Sequence, residues 1–224
     1  MGTKGSLISS TAAGGIYGML VTDNLYIPAA TGSLTYRTTN EASYYMQEAG
    51  EHRWYNAPSG SAGATATSTE RMRIDSSGRV TMPYQPAFSV TVAAEQTNIA
   101  TGTDVTVVWG TEVFDVGSNF ASNTFTAPVT GKYQLSVTLR LNNVDSASPY
   151  YIVSFFSSNR SYRFIYDSTV FAADADYWAT SLSALVDMDA NDTVYVGINQ
   201  GGGTVQTDVE NNATYQSFTG YLAC

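Results

Sequence analysis

An alternation of apolar and polar residues in the second half of the chain is the feature that most constrains its fold. Between residues 132 and 142 every second residue is apolar: Tyr133, Leu135, Val137, Leu139 and Leu141. Because side chains of a β-strand point alternately to opposite faces, this pattern predicts a strand with one face buried. A shift of one residue would expose the whole apolar row, so the pairing register is strongly specified.

The same alternation recurs through residues 86–224. Further inward rows are Phe88, Val90 and Val92; Trp178, Leu182, Ala184, Val186 and Met188, interrupted by Thr180; and Val194, Val196 and Ile198. The chain is also rich in strand-forming Tyr, with 16 in 224 residues, and no segment keeps a convincing helical period. The sequence therefore predicts an all-β chain whose residues 86–224 form a two-sheet sandwich or jelly roll of eight or more strands.

The charge divides the chain into two parts. The net charge is −9, yet residues 1–85 are balanced and the whole excess of acid lies in residues 86–224. The segment between them contains Pro83 and Pro86, which favour an extended connection. We predict an N-terminal β-rich region at 1–85 and a jelly-roll domain at 86–224.

The N-terminal region has short apolar segments separated by Gly, Ser and Ala. Residues 40–56 read as two short strands around Ala49, Gly50 and Glu51, and no strand is expected to exceed about five residues. Such strands need neighbours to cover them, and copies of the same chain are the simplest ones. This indicates a trimeric shaft or attachment region ordered by association. A flexible leader is the alternative.

Residues 70–80, Glu-Arg-Met-Arg-Ile-Asp-Ser-Ser-Gly-Arg-Val, read as a strand, a turn and a second strand. This segment resembles one that recurs in tail-fibre and appendage proteins of tailed bacteriophages. The resemblance implies a virion protein made in the bacterial cytoplasm. An N-terminus without the apolar core of a signal peptide, and a single cysteine that excludes an intrachain disulfide, are consistent with it.

The second domain carries a further motif. Its residues are Phe114, Asn119, Phe120, Phe125, Gly131, Tyr133, Leu135 and Val137, followed by Phe-Thr-Gly-Tyr-Leu at 218–222. The set is similar to the globular-head family of complement and collagen-like proteins, within the tumour-necrosis-factor-like superfamily. Leu135 and Val137 stand where that family has aromatic residues. The resemblance implies a ten-stranded jelly roll in a homotrimer whose aromatic strand faces meet at the three-fold axis.

The segment from Tyr150 to Phe156 is apolar on both faces, whereas a strand of an antiparallel sandwich normally exposes one face to solvent. A contact between subunits is the expected cover, and a packed internal loop is the alternative. Together with the resemblance, this places the expected trimer interface at Tyr150, Tyr151, Val153, Phe155, Tyr195 and Tyr221.

Most catalytic chemistry is excluded by composition. His52 is the only histidine and Cys224 the only cysteine, so neither a catalytic triad in the second domain nor a Cys- or His-based metal site is expected. The acidic balance argues against nucleic acid as a partner, and no apolar run is long enough to enter a membrane. We expect no catalytic residues and no cofactor.

Asp187, Asp189 and Asp192 surround a turn and are candidate calcium ligands, because carboxylates suit this cation. Turn chemistry explains them equally well.

The polar loops are expected to recognise a ligand, because Asn, Asp and Ser occur there next to Tyr and Arg. The predicted receptor-binding residues are Asn142, Asn143, Arg160, Tyr162, Arg163, Asp174, Asp176, Tyr177, Asp208 and Asn211.

The leading hypothesis is a non-enzymatic phage fibre or appendage. Residues 1–85 would contact other virion proteins, and the jelly-roll tip would bind a glycan or protein of the host surface. A capsid-decorating head fibre or cement protein is the alternative. A small tail-spike-like depolymerase is disfavoured because the acidic residues form no evident pair and no long β-helix is encoded.

Overall fold

The computed structural model describes residues 5–10, 18–28 and 32–224. The chain separates into two compact units, Met1–Tyr84 and Gln85–Cys224. Each unit has its own sheets and its own buried core, and each is described by itself.

The first unit contains a six-stranded antiparallel sheet in the order β1-β2-β5-β6-β7-β8, together with a short β3–β4 pair. Its strands are β1 (Gly5–Ser10), β2 (Gly18–Asp23), β3 (Leu25–Tyr26), β4 (Thr35–Tyr36), β5 (Asn40–Glu48), β6 (Glu51–Gly60), β7 (Thr69–Ile74) and β8 (Val80–Thr81).

The hairpin expected within residues 40–56 is present, but its strands are longer than predicted. They have 9 and 10 residues, and Glu48 pairs with Glu51 across a two-residue turn. Ala49 and Gly50 both have positive φ, the geometry that matches the twist of a hairpin. Tyr44 and Tyr55 stack across the strands with ring centres 4.5 Å apart. Cross-strand aromatic pairs stabilise the extended pairing, which composition alone did not reveal.

The first unit also has a core within a single chain, contrary to expectation. The buried apolar residues are Leu20, Leu25, Leu34, Tyr36, Ala42, Met46 and Ala57. Leu25 and Tyr36 belong to the β3–β4 pair, while Leu20, Met46 and Ala57 belong to the large sheet. The short pair therefore packs on one face of the sheet, so the described part of this region buries some apolar surface within a single chain.

The strand, turn and strand predicted within residues 70–80 are confirmed by β7 and β8. Ile74 pairs with Val80, and the Asp75 carboxylate accepts hydrogen bonds from the backbone N–H groups of Ser77 and Arg79. Gly78 has a φ of 82°, which suits a residue without a Cβ.

The second unit is a sandwich of two antiparallel sheets, as predicted. Its strands are β9 (Ala87–Thr91), β10 (Val105–Thr106), β11 (Thr111–Asp115), β12 (Phe120–Ala121), β13 (Thr124–Thr126), β14 (Gly131–Val144), β15 (Tyr151–Ser157), β16 (Ser161–Tyr166), β17 (Ala175–Met188), β18 (Thr193–Gln200), β19 (Asp208–Val209) and β20 (Ser217–Leu222).

One sheet of this sandwich, named here the β14 sheet, has the order β11-β9-β20-β14-β17, with β19 also paired to β14. The other, the β18 sheet, has the order β12-β13-β18-β15-β16, with β10 also paired to β18. A single 3-10 turn at Ser168–Val170 is the only helical segment among the described residues.

The alternating rows of the sequence form the core between these sheets. The row from Tyr133 to Leu141 is buried, and so are Phe88 and Val90 of β9 and Val194, Val196 and Ile198 of β18. Burial of such side chains contributes roughly 1.5–3 kcal/mol each, which fixes the register of the strands.

The strand β15 is covered on both faces by its own chain. Tyr151, Val153 and Phe155 are fully buried in the core. On the other face Ser154 is also buried, and Phe156 stacks on Tyr195 with ring centres 5.1 Å apart. Packing within the chain therefore covers most of this segment, while Tyr150, Ile152 and Phe156 stay partly accessible.

The described residues include no helix of the length and apolarity that a membrane crossing requires.

Candidate functional site

The strand register brings several of the predicted loop residues to one end of the β14 sheet. Asn142 lies opposite Tyr177 on one side and Asp208 on the other. The Asn143 amide donates to the Asp208 carboxylate at 2.8 Å, and the backbone N–H of Ser146 donates to Asp174 at 2.9 Å. We call this end of the sheet the Asn142 end. Asp176 lies beside Tyr177 in β17, and Asn211 follows β19, so both belong to the same region by chain continuity.

The remaining predicted loop residues lie elsewhere. Lys132 pairs with Asp187 at the opposite end of β14, about 30 Å along the strand from Asn142. The amide of Asn159, the neighbour of Arg160, donates to the Asp187 carbonyl at 3.2 Å, which places the 158–160 turn at that far end. The predicted residues therefore do not share one surface.

Tyr162 and Arg163 belong to β16 and not to a loop. Tyr162 packs against the core, and the Arg163 guanidinium contacts the Asp104 carboxylate at 2.9 Å. Both side chains are engaged within the chain.

A cleft at the Asn142 end is built around Arg140. The Arg140 guanidinium lies 4.6 Å from the ring centre of Tyr177 and 5.0 Å from that of Tyr215. Its Nη1 atom contacts the Glu210 carboxylate at 3.1 Å. The cleft has a volume of about 400 Å³ and is lined by Arg140, Tyr177, Ala179 and Tyr215. We call it the Arg140 cleft.

Strand pairing explains why these side chains meet. Arg140 is on the outward row of β14 and pairs with Ala179 of β17, whose small side chain leaves room above it. Tyr177 is two residues from Ala179 and so shares its face. Tyr215 closes a turn in which its backbone N–H donates to the Asn212 carbonyl at 3.0 Å.

Gln216 fixes the segment that carries Tyr215. Its side chain is buried, and its amide donates to the carbonyls of Arg140, at 3.3 Å, and of Glu210. Tyr215, Gln216 and Arg140 were not among the predicted site residues. A signal was present, since Arg140 and Lys132 are the two charged residues of the outward row of β14, and Arg140 lies two residues before Asn142.

The three aspartates considered for calcium do not form a site. Asp187 is paired with Lys132, which lowers the pKa of that carboxyl below its ordinary value. The Asp192 carboxylate accepts a 2.8 Å hydrogen bond from the backbone N–H of Asp189. Within the described residues, no three His, Cys, Asp or Glu side chains are grouped so that they could hold a metal ion. These aspartates therefore act in turn and pairing contacts.

The predicted trimer-interface residues divide by exposure. Tyr151, Val153 and Phe155 are completely buried in the single chain, so they cannot contact a second copy, and their assignment is corrected. Tyr150 and Tyr195 are half-buried, while Tyr221 is 53% exposed.

The outward face of the β14 sheet is uncharged between its two ends. Leu185, Gln134, Tyr221 and Ala87 lie in one row across four paired strands. The next row is Ser183, Ser136, Thr219, Ser89 and Phe114. Charged pairs occur only at the margins of these strands, at Lys132–Asp187 and Arg140–Glu210. We call the two rows the neutral face.

Comparison with solved structures finds similar chains. The globular domain of zebrafish complement 1qA protein is 18% identical, with a TM-score of 0.45, and the match covers 62% of this chain and 98% of that one. Murine APRIL, crystallised at pH 8.0, is 13% identical, with a TM-score of 0.45 and the same coverage. Among curated proteins, none matches this chain.

A model of the C1q domain matches residues 87–223, more than half of the chain. This match confirms the resemblance to complement globular heads that the Phe125–Val137 region and residues 218–222 indicated. The chain therefore belongs to the C1q domain family.

Proposed function

We propose that this chain is a trimeric attachment protein of a bacteriophage fibre or appendage, whose C1q domain binds the surface of the host bacterium. C1q-type domains are generally non-enzymatic binding modules and often form trimers. Residues 1–85 would join the trimer to other virion proteins.

The neutral face is the observation that carries this proposal. One of its rows consists mainly of Ser and Thr side chains, and the other exposes Leu185 on the edge strand β17 and Tyr221 on the central strand β20, each more than half accessible. The chain has a net charge of −9, so two copies of it repel each other wherever their acidic side chains come close. An uncharged face with small central side chains allows the sheets of two copies to approach closely. Large exposed apolar side chains on the same face favour that association, because it removes them from water.

The assignment to a phage rests on residues 70–80, whose strand, turn and strand resemble a recurring segment of phage tail-fibre proteins. A fibre also accounts for two separate units in one chain, one for the virion and one for the host. The proposed location is the virion.

Association is tested with a charge placed in the middle of the neutral face. Ser136→Arg should convert a trimer into monomers in sedimentation equilibrium, because three buried guanidinium groups would meet. Thr103→Arg is the matched control, since Thr103 is exposed in the loop that precedes β10 of the other sheet. A wild-type chain that sediments as a monomer contradicts the trimer, as does a trimer unaffected by Ser136→Arg.

Attachment is tested with particles that carry the chain without residues 86–224. They should fail to adsorb to host cells that bind intact particles. Undiminished adsorption contradicts the proposal. Copy number separates the capsid alternative, because a decorating protein occurs in hundreds of copies per particle and a tail appendage in few.

A further inference from the structure

We propose that the Arg140 cleft binds an uncharged sugar residue of a surface polysaccharide. This inference rests on the proposed attachment function and gives it a site and a ligand class. It follows from the aromatic walls of the cleft, from polar atoms around it that lack partners, and from the local charge.

The walls are two accessible tyrosine rings. Tyr177 is 64% exposed and Tyr215 is 47% exposed, although each ring contacts the guanidinium of Arg140. The guanidinium stabilises this arrangement of the two rings through cation–π contacts. Rigid amphipathic rings beside a concave polar surface suit a ligand with both C–H faces and hydroxyl groups.

Unpaired polar atoms belong to Arg140, which lines the cleft, and to residues next to it. Eight buried side-chain N or O atoms lack a hydrogen-bond partner in the described part of the chain, and four of them belong to Arg140, Asn142, Glu210 and Gln216. The Glu210 oxygen is in ionic contact with Arg140, which leaves Arg140 Nε, Asn142 Oδ1 and Gln216 Oε1. Buried polar atoms are nearly always paired, so these three atoms have hydrogen-bonding capacity left for water or for a ligand.

The chemistry of these atoms restricts the partner. Arg140 Nε is a donor, whereas the Asn142 and Gln216 oxygens are acceptors. An anion would satisfy only the donor, and a cation only the acceptors. A hydroxyl group both donates and accepts, so a polyhydroxylated ligand is the class that could pair with atoms of both kinds, where they become accessible to it.

The surrounding charge disfavours an anionic sugar. Arg140 is neutralised by Glu210, and two further carboxylates are near. The Asn142 amide donates to Glu95 at 3.5 Å, and the neighbouring Asn143 amide donates to Asp208 at 2.8 Å. Acidic sugars and phosphate groups would be repelled, while a neutral sugar ring would not. The volume of about 400 Å³ is in the range of small-molecule sites, roughly 300–1,000 Å³.

The test uses the purified full chain with three sets of probes: neutral bacterial oligosaccharides built from glucose, galactose or rhamnose; polysialic acid as an anionic glycan; and oligolysine as a basic peptide. Binding is followed by saturation-transfer NMR and titration calorimetry. We expect at least one neutral oligosaccharide to bind and both other probes to fail. Tyr215→Ala and Tyr177→Ala should each weaken that binding at least tenfold.

Tyr84→Ala is the matched control, because Tyr84 is 56% exposed and also lies over an arginine, Arg71, at 4.5 Å, but belongs to the other unit. It should leave sugar binding unchanged. Three results overturn the proposal: no neutral sugar of the panel binds, only a charged probe binds, or Tyr177→Ala changes the sedimentation of the assembly and leaves sugar binding intact. The last result would make the cleft a contact between copies.

These outcomes are distinguishable from failure of the attachment function. Particles without residues 86–224 that lose adsorption, combined with a purified chain that binds no sugar, would keep attachment and reject the sugar site. Sugar binding that depends on Tyr215, combined with undiminished adsorption of the truncated particles, would keep the sugar site and reject the attachment function.

Discussion

The backbone N–H of Val205 donates a 2.7 Å hydrogen bond to the carboxylate of Asp145, which is completely buried. The same carboxylate accepts from the backbone N–H groups of Ala147, at 2.7 Å, and of Thr204. A buried charge is tolerated when several donors surround it. Asp145 therefore fixes the 201–207 loop against the turn that follows β14, close to the strand end from which Asn142 and Asn143 project.

Replacing this carboxylate should lower the stability of the C1q domain. Asp145→Asn puts an NH₂ group where one of the acceptor oxygens lies, so at least one backbone N–H loses its partner. We expect the free energy of unfolding to fall by about 2 kcal/mol at neutral pH, measured by urea denaturation. Asp176→Asn is the control, since that side chain is exposed, and it should change little. Equal effects of the two substitutions would argue against a special role for Asp145.

The same residue predicts a pH dependence. Burial alone would raise the pKa of Asp145, but the hydrogen bonds from Val205, Ala147 and Thr204 bring it below its ordinary value. Its folded pKa is thus lower than its unfolded one, so its stabilisation is complete above about pH 4 and is lost as the pH falls through the folded value. The wild type should therefore lose more stability in acid than Asp145→Asn does. Parallel stability profiles of the two proteins between pH 6 and pH 2 would contradict this.

The strand pattern of the second unit was predictable because burial is periodic along each strand. The row from Tyr133 to Leu141 and the pair Val194 and Val196 are inward in the sequence pattern and buried in the structure. The cover of β15 was not predictable, because Tyr195 and Arg163, which contact Phe156, come from other strands. A single sequence shows that a face is apolar, but not which segment of the chain packs on it.

The candidate site was predictable only in part. Asn142, Tyr177 and Asp208 were selected for their chemistry, and strand pairing brings them into one row. Arg140 and Tyr215 were missed, since their contact depends on the register of β14 and on the turn before β20. Long-range register determines which side chains meet, whereas local pattern determines only which face each one takes.

Two adjacent glycines allow a test of the loop that Asp145 holds. Gly203 has a φ of 111°, and a Cβ there would lie 2.2 Å from the Asp145 carboxylate. Gly202 has a φ of 143°, but its Cβ would come no closer than 3.8 Å to Pro149. Gly202→Ala should cost about 1–2 kcal/mol through backbone strain alone. Gly203→Ala should cost at least about 2 kcal/mol more, because it also displaces the carboxylate. Equal melting temperatures for the two variants would refute the proposed contact.

The separate cores of the two units predict that residues 85–224 fold without residues 1–84. The two cores share no buried residue. Leu20 belongs to the core of the first unit and Leu139 to the core of the second. The isolated domain should keep its β-type circular dichroism, with a melting midpoint within about 5 °C of the corresponding transition in the full chain. In the full chain, Leu139→Ala should lower that transition, since it leaves a cavity costing about 2–5 kcal/mol. Leu20→Ala should lower only the transition of the first unit. A single cooperative transition that both substitutions shift equally, or an isolated domain without fixed tertiary structure, would show that the units fold as one.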